Sequence, residues 1–357
     1  MTLSVPSGEA AISEEIAGRA VALRYTAVAI EYAAFRTGAA LVDRSHRARM
    51  VFEGDKRAET LTGLVTNDIG GLTPGTGLYA AALTPRGKII ADVRVFARDA
   101  DLLVDVPVRA AAGWVAMIRK FVNPRTTRYA DRTDGLADVG VFGPQSRRIA
   151  AALTGIGAET LGALAPYGHV PALVDDRAIM VARVPDIGIE GYELIVPAES
   201  RALVWQRAID LGAVPSGLDA WEIARIEAGR PEWGIDIDES TIPQEANLDG
   251  LHAISYTKGC YTGQETVARV HFRGHVNRHL RGLLLSADLP VPRGAQLVDA
   301  SDKSVGDVRS TAVSPRLGGV ALAMVRREVA VGSTIRARWE NGESGATVTE
   351  LPFPPEG

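Results

Sequence analysis

The sequence predicts an α+β protein, with mixed helices and strands in residues 1–275 and a small antiparallel β-barrel in residues 276–357. Two observations predict this division. In the first region, short apolar runs alternate with turn clusters and with stretches of helical periodicity. From Leu283 onward, short alternating segments recur between glycines, which is typical of a barrel. No composition shift marks a boundary inside the first region.

A helix is expected over residues 14–35, because apolar residues recur there three or four apart. Ser13 would cap this helix and Gly38 would end it. The same spacing predicts helices over residues 108–121 and 200–211. Short strands are expected between turn clusters at residues 40–42, 50–52 and 88–90.

The expected barrel strands are apolar alternating segments, and they lie at residues 305–308, 320–325, 334–339 and 346–351. Pro352, Pro354 and Pro355 cannot extend a central strand. We therefore expect the chain to end in a frayed, polyproline-like segment.

Composition excludes several classes of protein. The chain has 357 residues, of which 46% are hydrophobic and 23% charged, so a disordered chain is excluded. The formal net charge of −4 gives no global attraction to nucleic acid or to an anionic membrane. A single cysteine excludes an intrachain disulfide and a cluster site made only of this chain's cysteines. No basic-then-apolar leader or long apolar run is seen, so we expect a cytoplasmic protein without a membrane span.

Three histidines recur every four residues, at His271, His275 and His279. The surrounding segment, residues 267–276, has the composition of a strand. Four residues of strand span about 13 Å, which is too far for neighbouring histidines to share one metal ion. We therefore expect no metal site here.

The same stretch is basic, since residues 266–287 contain no acidic side chain. Four arginines interleave with the histidines, namely Arg269, Arg273, Arg278 and Arg281. Arginine forks bind carboxylates and phosphates, so the strip could hold a polyanionic small molecule or an RNA backbone. A solvated basic strand explains the charges equally well.

The only cysteine lies just upstream, in residues 258–265. Gly259 and Gly263 flank Cys260, and the ammonium of Lys258 precedes it by two residues. Nearby positive charge favours a thiolate, and glycine lets the backbone expose the sulfur. The alternative is a small buried hydrophobic residue.

Residues 258–269 resemble the signature of the YgfZ-type folate-binding proteins, which belong to the superfamily of the glycine-cleavage T-protein, an aminomethyltransferase. The resemblance covers roughly residues 40–350. Other segments similar to superfamily landmarks follow in the expected order, at residues 65–68, 83–88, 141–146, 191–194, 224–234 and 242–245.

The resemblance implies a three-lobed fold around a central folate channel, with a C-terminal barrel and with tetrahydrofolate or a derivative as cofactor. It places Glu227 against the pterin, whose adjacent N–H groups an ionised carboxylate can accept in parallel. Tyr79, Trp233 and Tyr261 could offer aromatic faces to the ring. The remaining expected cofactor-binding residues are Lys258, Gln264 and Arg269.

One departure concerns catalysis. Aminomethyltransferases carry paired aspartates where this chain has Ala91 and Asp92. Alanine neither accepts nor orients a proton, so a classical aminomethyltransferase is not expected. Asp68 and Asp92 are the remaining candidate acid/base groups.

The resemblance implies a tetrahydrofolate-binding accessory protein that supports iron-sulfur cluster assembly or repair and indirectly tRNA modification. Cys260 would contact a transient cluster shared with an assembly or client protein, because one thiolate cannot fill a four-ligand site. One alternative is a folate-dependent one-carbon transferase that uses Asp68 or Asp92. A second is an RNA-binding module that uses the arginine strip, although the acidic balance argues against direct nucleic-acid binding.

Overall fold

The computed structural model describes residues 12–286 and 291–354, and its elements follow one another in this order. The strands are β1 Ile12–Ile16, β2 Arg19–Arg24, β3 Ala40–Asp43, β4 Ala48–Glu53, β5 Gly77–Leu83, β6 Ile89–Ala97, β7 Leu102–Val106, β8 Arg128–Asp131, β9 Leu136–Phe142, β10 His169–Val174, β11 Arg177–Arg183, β12 Gly191–Pro197, β13 Val214–Pro215, β14 Arg278–Leu285, β15 Gln296–Val298, β16 Ser304–Ser314, β17 Gly318–Arg326, β18 Thr334–Trp339 and β19 Gly342–Thr349. The α-helices are α1 Val28–Thr37, α2 Arg57–Thr62, α3 Ala111–Phe121, α4 Ser146–Thr154, α5 Ala158–Ala163, α6 Arg201–Asp210, α7 Leu218–Glu227 and α8 Gln264–Arg273.

Two large sheets and the separate β1-β2 hairpin form the first region. One is antiparallel, in the order β5-β6-β7-β4-β8, and α3 packs on its outer face. The other has the order β10-β11-β12-β9-β3-β13, with α4 and α6 on its outer face. A third cluster of buried side chains, contributed by both sheets, lies between them. Both sheets therefore turn one face toward a shared interior.

The C-terminal strands β14 to β19 close into an antiparallel barrel in the order β14-β17-β16-β15-β18-β19. This confirms the barrel expected from the alternating segments. The α+β class and the three-part organisation are likewise as expected.

The predictions for residues 40–42, 50–52 and 88–90 are confirmed, since these residues fall in β3, in β4 and at the start of β6. The helices expected over residues 108–121 and 200–211 are also present. Each begins with a 3₁₀ turn, Val108–Ala110 or Ala198–Ser200, that leads into α3 or α6.

The prediction of a helix over residues 14–35 is wrong for the first half of this segment. Ala17 and Gly18 adopt positive φ angles of 48° and 81°, and this tight turn joins β1 to β2 as a hairpin. The helix α1 begins only at Val28, where the carboxylate of Glu31 accepts the backbone N–H groups of Tyr25 and Thr26 at 2.6 Å. Ser13 therefore caps nothing, whereas the end at Gly38 is confirmed.

The strand expected over residues 267–276 is also wrong, because residues up to Arg273 belong to α8. Gly263, at φ 84°, turns the chain into this helix, and the Gln264 side chain accepts the backbone N–H of Tyr261 at 3.0 Å. Val267 is the fully buried residue of the helix. The β-branched and aromatic residues of α8 suggested a strand, but the burial of Val267 against the rest of the fold overrides that propensity.

The prediction of a frayed C-terminus is wrong for the residues up to 354, which the structure describes. Phe353 is buried beside Leu280 and Met324, and its backbone N–H donates to the carbonyl of Glu227 at 2.9 Å. Pro355 lies outside the described residues.

Candidate functional site

The strands on either side of the space between the two sheets carry charged side chains among the residues that face it. In β6, Asp92 and Arg94 face this space, while Ala91 and Val93 face the apolar cluster on the outer side of the sheet. The same alternation turns four further charged side chains inward, namely Arg49 in β4, Asp105 in β7, Asp138 in β9 and Glu193 in β12. The two-residue period of a strand thus builds a buried ionic layer between apolar cores.

Arginine–carboxylate pairs hold this layer together. Arg94 donates to Asp105 at 2.7 Å and lies 2.8 Å from Glu193 and 3.2 Å from Asp186. Arg49 lies 2.8 Å from Asp138 and 3.2 Å from Asp105. Burial raises the pKa of Asp105, but nearby guanidinium groups outweigh that effect and hold this pKa well below its usual range.

A narrow cavity of about 20 Å³ lies beside the ionic layer. Arg44, Arg47, Asp92 and Glu232 are among its lining residues. It has room for about one or two water molecules.

Asp92 is a carboxylate in this cavity that lacks a full set of partners. The side chain is buried, with 6% of its surface exposed. The Tyr79 hydroxyl donates to its Oδ2 at 3.1 Å, and Oδ1 has no hydrogen-bond partner among the described residues. Burial raises the pKa of Asp92, partly opposed by the Arg47 guanidinium. A buried carboxyl with a raised pKa in a cavity is suited to acid/base chemistry.

A wider cavity of about 380 Å³ adjoins the narrow one. The two share Tyr79 and Arg230, and Tyr167 and Leu251 also line the wide cavity. The rings of Tyr79 and Tyr167 stack with centroids 6.2 Å apart, and the Arg230 guanidinium lies 4.2 Å from the centre of the Tyr79 ring. A volume of this size is typical of small-molecule sites.

Buried hydrogen bonds fix the residues at the junction. Arg230 donates to the Tyr167 hydroxyl and lies 3.1 Å from Asp186. Arg230 follows Gly229, which adopts φ 66° just after α7. The junction is therefore preorganised, and a ligand in the wide cavity could direct its reacting end toward Asp92.

Of the residues predicted from sequence, the structure brings Tyr79 and Asp92 together. Trp233 follows Glu232 of the narrow cavity, and its indole N–H donates to the Ile89 carbonyl at 3.4 Å. Asp68 is exposed and accepts the backbone N–H of Gly70 at 3.0 Å, away from both cavities.

Glu227 lies at the end of α7 and lines neither cavity. Its carboxylate accepts hydrogen bonds from the hydroxyls of Tyr32, at 2.9 Å, and Ser314, at 2.5 Å, and pairs with Arg316 at 3.2 Å. These contacts tie α7 to α1 and to the barrel.

Lys258 anchors the loop of the cysteine motif. Its ammonium donates to the backbone carbonyls of Thr62, Val65 and Asn67, at 2.6 Å for Val65 and 2.9 Å for Asn67. Burial lowers the pKa of Lys258 to about 8. All three of its donors are engaged, so this ammonium is held away from a role beside the exposed Cys260.

The other residues of the motif also lie outside the two cavities. Tyr261 is half-buried against the cluster between the sheets, and burial raises its pKa to about 12. Gln264 begins α8, and Arg269 is exposed on that helix. None of these motif residues therefore lines a cavity with Asp92.

The four arginines of the basic stretch lie on two elements, Arg269 and Arg273 on α8 and Arg278 and Arg281 on β14. Arg278 pairs with Glu245 at 3.1 Å, whereas Arg269 and Arg273 are exposed on α8. The three histidines line a separate cleft, together with Arg281 and the carboxylates of Asp249 and Glu350. Residues 12–286 and 291–354 contain no group of three histidine, cysteine or carboxylate side chains placed to hold a metal ion.

The argument drawn from Ala91 needs correction. Ala91 is fully buried in the apolar cluster on the outer face of β6, opposite to Asp92. A carboxylate at this position would enter that core rather than the cavity, so Ala91 takes no acid away from the site.

The cavity residues that the sequence analysis missed include Arg44, Arg47, Tyr167 and Arg230. Arg44, Arg47 and Arg49 crowd into one apolar strand region, which is an unusual use of arginine in a buried segment. That signal could have indicated a buried polar site. Nothing local marks Tyr167.

In the part of the chain that the structure describes, no helix has the length and apolarity needed to cross a membrane.

Comparisons with known proteins agree with this architecture. The model of the GCVT N-terminal domain matches residues 6–255, and that of the glycine cleavage T-protein C-terminal barrel domain matches residues 278–354. An aminomethyltransferase of Cupriavidus necator is 33% identical over 340 residues, covering 90% of this chain and 88% of the relative. One from Thermosynechococcus vestitus is 30% identical over 325 residues, covering 89% and 86%.

Among solved structures, the glycine cleavage system aminomethyltransferase T from Bartonella henselae has the same fold, with a TM-score of 0.87. It is 23% identical, and the match covers 97% of this chain and 94% of that one. The resemblance to the YgfZ-type branch stays a prediction. The two family models together span both the sheet region and the barrel, and the chain therefore belongs to the glycine cleavage T-protein family.

Proposed function

We propose that this protein is a folate-dependent one-carbon transferase, in which the C–N bond of a bound amine would break as a C–N bond to a reduced folate forms, and Asp92 would pass the proton released by the folate nitrogen to the leaving amine. The buried Asp92, with one oxygen unpartnered at the end of a ligand-sized cavity, is the observation that carries the proposal. The names of the relatives point to the same class of reaction.

The residues present fit a folate. Tyr79, Tyr167 and Arg230 line the wide cavity, so aromatic edges and a cation are available to a bound pterin. Leu251 and His252, which lie on a loop, also line this cavity. A bound tetrahydrofolate would supply the nitrogen that takes up the one-carbon unit.

Each group at the junction has a definable task. The Tyr79 hydroxyl orients the Asp92 carboxyl by donating to Oδ2, which leaves Oδ1 to exchange a proton with an amine. The raised pKa means that the Asp92 carboxylate binds a proton more tightly, which strengthens it as a base. The surrounding ionic layer holds both residues rigidly.

Binding is tested by calorimetric titration with 5-formyltetrahydrofolate. The wild type should bind saturably, and Leu251→Trp should weaken binding at least tenfold, because the larger ring occupies the wide cavity. Leu173→Trp is the matched control, since Leu173 is 61% exposed on β10 and lines neither cavity. Equal binding by all three proteins would remove the wide cavity from the proposal.

The same titration tests the pterin contact expected of Glu227. Because the Glu227 carboxylate already has partners from Tyr32, Ser314 and Arg316, we expect Glu227→Gln to change folate affinity little. A loss comparable to that of Leu251→Trp would instead support a direct contact between Glu227 and the pterin.

The accessory role in iron-sulfur cluster assembly is the second candidate, and the exposure of Cys260 is the observation that favours it. The comparisons lend it no support. If Cys260→Ala leaves iron-sulfur enzyme activities unchanged in a deletion background, the role assigned to this thiol is wrong.

A further inference from the structure

Glu232 is a carboxylate of the narrow cavity that the proposed reaction does not use. It lines this cavity together with Asp92. Among residues 12–286 and 291–354, the Glu232 side chain has no hydrogen bond and no ion pair. Asp92 likewise has an oxygen, Oδ1, without a hydrogen-bond partner in this part of the chain. Two carboxyl groups that each lack a donor therefore border the same small space.

The backbone of Glu232 is held firmly. Its N–H donates to the carboxylate of Asp236 at 2.9 Å, and its carbonyl accepts the N–H groups of Ile235 at 3.2 Å and of Asp236 at 2.9 Å. The neighbouring Trp233 donates its indole N–H to the Ile89 carbonyl at 3.4 Å. The turn therefore fixes where the Glu232 side chain begins, while the charged end of that side chain stays available in the cavity.

The space that the two carboxyl groups share has the size of water. Its volume is about 20 Å³, which holds about one or two water molecules and no larger ligand. A water molecule has two O–H donors, one for Oδ1 of Asp92 and one for Glu232, and its oxygen can accept from a guanidinium. Arg44 and Arg47 line the same cavity. One bound water would thereby satisfy both carboxyl groups.

The charges around Glu232 link it to Asp92. Burial raises the pKa of Glu232, and the carboxylate of Asp92 acts in the same direction, whereas Arg47, Arg44 and Arg225 oppose them. Ionisation of one carboxyl group therefore disfavours ionisation of the other, which is the behaviour of a coupled pair.

Asp92 is surrounded in a similar way. Burial raises its pKa, and Arg47, the Tyr79 hydroxyl and Arg230 act in the opposite direction. The remaining charged groups that line the cavity include Arg94 and Asp186, which pair with each other at 3.2 Å. A proton that leaves Asp92 thus finds in Glu232 a carboxylate whose affinity for protons is also raised.

The proposed transfer begins with an ionised Asp92, so Asp92 must first release any proton that it holds. Asp92 is 6% exposed, and a folate in the wide cavity would cover the junction beside it. Glu232 keeps more of its surface accessible, although the protein covers enough of it for burial to raise its pKa. Protons therefore have a path between Asp92 and bulk water that passes through Glu232.

We propose that Glu232 relays protons between Asp92 and bulk water through a water molecule in the narrow cavity. This inference rests on the proposed transferase function. In the outward step, the O–H bond of the Asp92 carboxyl breaks, its proton goes to the water, and the water gives another proton to the Glu232 carboxylate. Nothing is oxidised or reduced, and the reverse sequence reprotonates Asp92. Each carboxylate oxygen has two lone pairs, so Oδ1 can accept from this water and from the amine.

The first test needs no folate. The carboxyl carbon of Asp92 is followed by carbon-13 NMR of the full chain between about pH 4 and pH 9, and its signal is assigned by its loss in Asp92→Asn. Glu232→Gln should move the Asp92 titration to lower pH by at least about 0.5, because a neighbouring negative charge is removed. Glu239→Gln is the matched control and should leave the titration in place, since Glu239 is exposed and lines neither cavity. An unchanged titration in Glu232→Gln would overturn the inference.

Chemical rescue tests the relay itself. Glu232→Ala should lower the rate of one-carbon transfer at least about tenfold, while its affinity for 5-formyltetrahydrofolate stays that of the wild type. Added formate should restore part of the rate, because a small carboxylic acid fits the space left by the side chain and carries a proton. Chloride at the same ionic strength should not restore it, and Glu239→Ala should keep the wild-type rate with or without formate. A rate loss that formate does not restore would contradict the relay.

Stability and turnover separate the remaining explanations. Glu232→Gln removes no side-chain hydrogen bond among the described residues, so at pH 7 it should unfold at the same or a higher urea concentration than the wild type. A large loss of stability would show that the side chain is structural and would contradict the inference. If the wild type and Glu232→Gln transfer a one-carbon unit equally fast, the transferase proposal stands and the relay is wrong. If the wild type neither binds folate nor transfers a one-carbon unit, the transferase proposal itself fails.

Discussion

The carboxyl group of Asp92 lies at the meeting point of the ionic layer and the narrow cavity. One oxygen accepts a hydrogen bond from Tyr79, and the other has no partner in the described part of the chain. Burial raises the pKa of Asp92, so the folded chain holds this proton more tightly than the unfolded chain does. Ionisation of Asp92 therefore lowers the stability as the pH rises from the unfolded pKa, about 3.9, through the folded one.

Asp92→Asn should therefore unfold at the same or a higher urea concentration than the wild type at pH 7, while one-carbon transfer falls by about 10²- to 10⁴-fold. Below about pH 4, where Asp92 is protonated in both states, any gain in stability should disappear. Urea midpoints at the two pH values and initial rates with tetrahydrofolate and a methylated amine check this. Retained activity in Asp92→Asn would exclude Asp92 as the acid/base group.

At the scale of elements, local signals predicted strands and barrel better than they predicted helix boundaries. The helix expected over residues 14–35 failed because the Ala17–Gly18 turn and the Glu31 carboxylate divide the segment into a hairpin and a shorter helix. The helix α8 was missed because its β-branched residues suggested a strand. In both segments, contacts with distant parts of the chain decided between two locally acceptable structures.

The loop of the cysteine motif is an element held by Lys258. Lys258→Met would leave the carbonyls of Thr62, Val65 and Asn67 without their donor. At about 1 kcal/mol per lost hydrogen bond, we expect a loss of about 2–3 kcal/mol in the free energy of unfolding. Urea unfolding measures this loss.

Cys260→Ser is the matched control for Lys258→Met, because Cys260 belongs to the same loop and is exposed. It should change the free energy of unfolding by less than about 0.5 kcal/mol. An equal effect of the two substitutions would argue against Lys258 as the anchor.

At the scale of the whole molecule, the ionic layer joins the two sheets. Asp105 of the first sheet contacts Arg47, Arg49 and Arg94, and Arg94 in turn contacts Glu193 of the second. Asp105→Asn would leave buried guanidinium groups without their counter-charge. We expect a loss of about 3–5 kcal/mol in the free energy of unfolding, measured with urea.

Asp175→Asn is the control for Asp105→Asn. Asp175 pairs with Arg207 at 2.7 Å, but both side chains are more than 40% exposed. Its loss should cost less than about 1 kcal/mol. Similar losses for the two substitutions would mean that the buried layer is no more important than a surface pair.

Acid should act on the same layer. The guanidinium groups hold the pKa of Asp105 below that of the unfolded chain, so its contribution to stability is fully present above about pH 4 and is lost as the pH falls through the folded pKa. Circular dichroism against pH should show wild-type stability falling below about pH 4, with a smaller pH dependence in Asp105→Asn. An identical pH dependence in the two proteins would exclude Asp105 as a source of the acid sensitivity.

Local patterns in the sequence predicted the class of fold and the barrel, and the family resemblance supplied the order of the motifs and two candidate site residues, Tyr79 and Asp92. The fold class and the barrel follow from local patterns, because side chains alternate with a two-residue period along a strand and glycines mark the turns. The tertiary structure alone decided that Arg44 and Arg230 line the cavities beside Asp92 and that Ala91, Glu227 and Cys260 do not. The physical reason is that a cavity is made by the approach of strands and loops more than a hundred residues apart, and which side chains meet there depends on sheet packing that no local pattern records.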